Sequence, residues 1–159
     1  MKHLVASALC LVVALCLLCG CAKTGPNVIC KDLSLTLPAD FMDLSSENYA
    51  GDADLFYGRK TLIVKGLAEK KADLVEMTLE EFTGYVVSSN KLSCTPAPTE
   101  YGYVFTYDAP VGEKAYCYTT ATFEGPENFW ILQFYCPGDN AKENKADIDA
   151  ILKTIAVSN

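Results

Sequence analysis

The feature that most narrows the fold is a pair of alternating segments flanking Gly125-Pro126-Glu127-Asn128. Proline suits the second position of a turn. Closing Gly125 on Asn128 would set Phe123 opposite Trp130, Ala121 opposite Leu132, Thr119 opposite Phe134 and Cys117 opposite Cys136. Because side chains alternate across a strand, that register gathers Phe123, Ala121, Trp130, Leu132 and Phe134 on one face, and a one-residue slip would turn a strand's whole set to the other face. An ordinary type I turn twists a two-residue hairpin against its strands, so a bulge that shifts the register by one is the competing arrangement. Either way, the chain must build an antiparallel sheet with a buried face.

Other segments carry comparable signals. Lys31 to Leu37 alternates polar and apolar with period two and stops at Pro38, which predicts a strand. Asp54–Tyr57 and Thr61–Lys65 read as a hairpin with Gly58-Arg59-Lys60 as its turn. Thr78 with Glu81 three residues on is a capping box, and Met77 can staple against Phe82. Leu79, Phe82 and Val86 then share one face of a helix running to about Asn90. Strands are expected over Tyr101–Tyr107, Lys114–Phe123 and Phe129–Cys136. A last helix opens at a second capping box, Asn140 with Glu143, and turns Ile148, Ile151, Leu152 and Ile155 toward the sheet.

Ahead of all this, Lys2 precedes an uncharged, mainly apolar run from Leu4 to Cys19, the pattern of a secretory signal. The run ends at Leu18-Cys19-Gly20-Cys21, which resembles the lipobox of bacterial lipoproteins. The resemblance implies a signal peptide over residues 1–20 and a diacylglyceryl group on Cys21. Two acyl chains suffice for stable anchoring. The expected location is therefore the extracytoplasmic face of a cell membrane, with residues 21–29 as a short tether and residues 30–159 as a single domain. The formal net charge of −7 becomes one unit more negative without Lys2. So acidic a surface argues against nucleic acid as a partner, and against anionic lipid as the means of attachment.

Of the eight cysteines, three fall in the signal and Cys21 is the lipid acceptor. The remaining four, Cys30, Cys94, Cys117 and Cys136, are an even number in an exported chain, so two disulfides are expected, with the pairing open. Free buried thiols are the alternative. Their scatter, with no CxxC, argues against a zinc site, and no metal or cofactor is expected.

The order strand, hairpin, helix, three-stranded meander, helix is similar to the Mog1/PsbP-like fold. The landmarks are Leu35-Thr36-Leu37-Pro38, Thr78-Leu79-Glu80-Glu81-Phe82, Phe129-Trp130-Ile131-Leu132-Gln133-Phe134 and Ile148 to Ile155. The resemblance implies an α+β domain with an antiparallel sheet of about five to six strands and flanking helices. Within it the DcrB-type lipoproteins look most similar, which implies an envelope-associated, non-catalytic protein.

Candidate sites are few. The one histidine, His3, lies in the signal, which removes histidine-based catalysis and the commonest transition-metal ligand from the processed chain. Glu47, Asp52 and Asp54 are the best carboxylate cluster for a hard cation but fall short of the oxygens a calcium site needs. Tyr116, Tyr118 and Tyr135 project from the sheet face opposite Cys117, as a binding patch or as boundary core under a helix. Arg59, the only arginine, reads as an exposed turn charge. The expected function is a non-catalytic binding or accessory module with an envelope protein partner. A carrier of a small hydrophobic ligand, held between sheet and helix, is the alternative, and a hydrolase working without histidine is third.

Overall fold

The computed structural model describes residues 24–48, 50–74 and 76–158. The expected signal peptide, His3 and the lipid acceptor Cys21 lie outside them. Within the described residues the chain is an α+β fold of two antiparallel sheets and two α-helices. The larger sheet has the order β3-β4-β5-β9-β8-β7-β6. Its strands are β3 (Met42–Asp43), β4 (Leu55–Arg59), β5 (Leu62–Lys70), β6 (Ala97–Pro98), β7 (Tyr103–Val111), β8 (Lys114–Glu124) and β9 (Asn128–Pro137). The smaller one, in the order β1-β2-β10, contains β1 (Thr24–Cys30), β2 (Leu33–Pro38) and β10 (Ala156–Val157). Helix α1 (Leu79–Ser89) joins β5 to β6, and α2 (Ala141–Leu152) follows β9.

The β8–β9 register is the unshifted one: Phe123 faces Trp130, Ala121 faces Leu132, Thr119 faces Phe134 and Cys117 faces Cys136. No bulge intervenes, because the Gly125 amide bonds the Asn128 carbonyl at 2.8 Å and closes the turn directly. The expected face is buried. Trp130, Leu132 and Phe134 join Leu33, Leu35 and Leu37 from the small sheet and Ile148, Ile151 and Leu152 from α2 in the main core. The opposite face of the large sheet is covered by α1, with Phe82, Val86, Phe105 and Phe129 forming a second core. Phe82 and Phe129 stack with ring centroids 4.8 Å apart.

Helix α1 begins as expected. Thr78 Oγ1 accepts from the Glu81 amide, Glu81 accepts from the Thr78 amide at 2.9 Å, and Met77 packs on the core holding Phe82. Helix α2 does not repeat the device. A short 3-10 turn, Gly138–Asn140, runs straight into it, so Asn140 lacks the extended backbone of a cap and its amide donates to Glu143 instead.

Three expectations need correction. The segment given to the tether is, from Thr24 on, strand β1, with Val28 opposite Leu35 and Ile29 opposite Ser34. Its Gly25-Pro26 falls where the pairing shifts register, and a Cβ on Gly25 would lie 2.3 Å from the Leu37 carbonyl oxygen. Glycine and proline are tolerated at such edge bulges, and that disguises the strand in sequence. Strand β2, expected in the main sheet, instead forms a separate layer above it. The β4–β5 turn is Lys60-Thr61, which leaves Arg59 inside the sheet, paired with Leu62.

Candidate functional site

Between the large sheet and α2 the packing opens into a cleft of about 430 Å3. The strand alternation that fills the main core turns Val104, Thr106, Cys117, Thr119 and Cys136 toward it, and α2 supplies Ile148 and Leu152 from its apolar stripe. The wall is mostly apolar. The exposed Lys142, Lys145 and Asp149 stand along its helix side, and Lys145 pairs with Asp149 at 2.7 Å. A second hollow of about 410 Å3 shares Val104, Asp149 and Leu152 with the first and continues toward Tyr101 and Lys153. The two make one elongated trough along α2.

Cys117 and Cys136 sit on the sheet wall of this cleft, directly opposed, and both are free thiols, as are Cys30 and Cys94. The two expected disulfides are therefore corrected. Opposed Cβ atoms on antiparallel strands stand about 4.5–5.5 Å apart, wider than the ~3.8 Å of a disulfide. Cys30 packs against the main core and Cys94 against the second core, with the sheet between them. Burial pushes all four thiols up; beside Cys117 the Asp108 carboxylate adds to that push.

On the other face lies a row of aromatic rings. Cross-strand pairing aligns Ile63, Tyr135, Tyr118 and Tyr107, one from each of β5, β9, β8 and β7. Tyr107 and Tyr118 stack at 4.9 Å with planes 2° apart, Tyr118 and Tyr135 at 5.4 Å, and Tyr116 tilts against Tyr135 at 6.5 Å. The Gln133 amide donates to the Tyr107 hydroxyl at 2.7 Å. Helix α1 covers the neighbouring rows, where Thr83 and Thr122 share a buried hydrogen bond of 2.6 Å. The tyrosines remain half-buried. Tyr118 is stacked between Tyr107 and Tyr135, so it presents its edge and hydroxyl, and not a ring face, to a partner. Tyr107, not among the three tyrosines expected in the patch, joins the row through its pairing with Tyr118.

Arg59 is not an exposed turn charge. It is 17% exposed and donates to Asn144 at 2.8 Å and Asp147 at 2.5 Å, with Asp40 at 3.4 Å and the Phe41 ring beneath at 5.4 Å. Asn144 is fully buried and donates to the carbonyls of Thr61 and Asn140, both at 3.0 Å. Together these bonds fasten α2 to the β4–β5 hairpin. The carboxylate group does not converge. Asp54 is engaged by the Ala68 amide at 2.8 Å and by Lys31 at 2.6 Å, while Glu47 and Asp52 are exposed. Among the described residues no three His, Cys, Asp or Glu side chains gather as a metal site, and no helix is long and apolar enough to cross a membrane.

No protein-family model matches the chain, and no curated protein sequence is significantly similar to it. Solved structures do match. A crystal structure from Bacteroides thetaiotaomicron aligns with a TM-score of 0.56 and 9% identity over 85% of this chain, which spans 49% of that one. The solution structure of cyanobacterial PsbP, CyanoP, from Synechocystis aligns with a TM-score of 0.53 and 10% identity, over 88% of this chain and 95% of that one. At such identities the likeness concerns the fold, and the fold is PsbP-like.

Proposed function

We propose that this chain is a non-catalytic binding module that holds a small, elongated apolar molecule in the trough between the large sheet and α2. In the same reading a diacylglyceryl group on Cys21 keeps it at the outer face of a membrane. The observation that carries the cargo reading is the cleft itself. About 430 Å3 of space lies against a mostly apolar wall, within the range of small-ligand sites. The chemistry at hand supports binding over catalysis. A chain processed at Cys21 has no histidine, and the cleft's helix side carries two lysines and an aspartate with no activated nucleophile beside them.

The test is titration with a neutral apolar fluorophore, N-phenyl-1-naphthylamine. One equivalent should bind saturably with a rise in emission. Thr119→Trp, which fills the cleft from the sheet side, should abolish that binding and leave the far-UV circular dichroism intact. Absence of saturable binding, or equal binding by Thr119→Trp, would exclude the cleft as a cargo site. Intact mass of the chain isolated from membranes tests the anchor: processing at Cys21 plus diacylglycerol supports it, and an unprocessed mass overturns it.

A second reading, an accessory protein docking on an envelope partner, is favoured by the tyrosine row, whose edges and hydroxyls are suited to a protein surface. Under it, Tyr116→Ser with Tyr118→Ser should remove specific cross-links formed in intact membranes while fluorophore binding persists.

A further inference from the structure

We propose that Cys117 and Cys136 form a two-thiolate site for a soft d10 cation of the Cu(I) class on the sheet wall of the cleft. The register places the two residues directly opposite each other on β8 and β9, both facing the cleft, and neither is oxidised. The number of donors selects the ion. Among the described residues no third His, Cys, Asp or Glu completes a metal-holding group with the pair. Zinc would need about four ligands and calcium about six to eight oxygens. A soft cation that prefers thiolate sulfur is satisfied by two. The span also fits. Opposed Cβ atoms about 4.5–5.5 Å apart are wider than the ~3.8 Å typical of a disulfide. Each Sγ can turn about its Cβ, so the two sulfurs can close on one ion lying between the strands.

Binding replaces two S–H bonds with two S–Cu bonds, releases two protons and transfers no electrons, leaving a bis-thiolate complex of charge −1. The ammonium group of Lys142, on the facing helix side of the same cleft, offsets that charge in part, while Lys145 is already paired with Asp149. Asp108, opposite Cys117 on β7, works against it. Cys136 is 2% exposed, so a bound ion is screened from solvent on the β9 side.

This site is tested apart from the apolar-cargo reading, because Cu(I) uptake is read with no apolar ligand present. The experiment is an anaerobic competition between the reduced chain processed and acylated at Cys21, which has lost Cys10, Cys16 and Cys19, and a chromophoric Cu(I) chelator. The native chain, Cys30→Ser and Cys94→Ser should each withdraw one equivalent of Cu(I). Cys117→Ser and Cys136→Ser should no longer compete, although their circular dichroism is retained. Failure of the native chain to withdraw Cu(I), or undiminished uptake by the Cys117→Ser/Cys136→Ser double variant, would overturn the site.

Discussion

Asp32 shows how much one carboxylate can organise. It sits in the β1–β2 turn, where Oδ1 accepts from Trp130 Nε1 at 2.7 Å and from the Asn128 side chain at 3.0 Å. Oδ2 accepts the backbone amides of Glu127 and Asn128 at 3.2 and 3.3 Å. The small sheet is thereby bolted to the β8–β9 turn, and the only tryptophan, fully buried, has its indole proton satisfied. Burial pushes the Asp32 carboxyl up, but the hydrogen bonds from Trp130, Asn128 and Glu127 together outweigh it and hold the group below its ordinary value. A depressed folded-state value means that the stabilisation is complete above the unfolded value of about 3.9. It is lost as pH falls through the folded value. Urea unfolding followed by Trp130 emission should therefore show stability dropping below that point, with a shallower fall in Asp32→Asn. Asp32→Ala strands the buried indole donor and should cost about 3 kcal/mol at neutral pH.

The elements differ in how openly the sequence announces them. The β8–β9 register is written in local alternation and a four-residue turn, and α1 in a capping box, so each is decided by residues close in sequence. Strand β1 is not, because Gly25-Pro26-Asn27 carries turn chemistry and becomes a strand only where β2 lies beside it. Arg59 was misread for a related reason. Its partners Asp40, Asn144 and Asp147 lie up to 88 positions away, and nothing adjacent signals them. The cleft is a shape left between β8, β9 and α2; the one part visible beforehand was the opposition of Cys117 and Cys136. The Arg59 tie makes a testable demand on α2. Arg59→Ala removes charge-assisted bonds to Asn144 and Asp147 and should destabilise the protein by about 2 kcal/mol. The loss should appear as a lower urea midpoint, with hydrogen exchange faster in α2 than in α1.

At the scale of the molecule, the large sheet is buried on both faces by unlike covers: α1 on one side, and the small sheet with α2 on the other. The cargo trough, the thiol pair and the Arg59 tie all lie on the second side, so ligand binding should protect α2 and leave α1 unchanged. A chain ending at Pro137 lacks α2 and β10 and keeps the complete large sheet. It should be cut rapidly by protease within β2 and β9 under conditions where the full chain resists, whereas equal resistance would show that α2 is dispensable. The ordering of the cover has a consequence for biosynthesis. Strand β2 leaves the ribosome well before one of its neighbours, β10, and before the helix that seals its core, both of which follow the whole large sheet in sequence. The central strands β8 and β9 are themselves made late, so the apolar face they complete stays uncovered until α2 and β10 emerge, and the main core closes in a single late step.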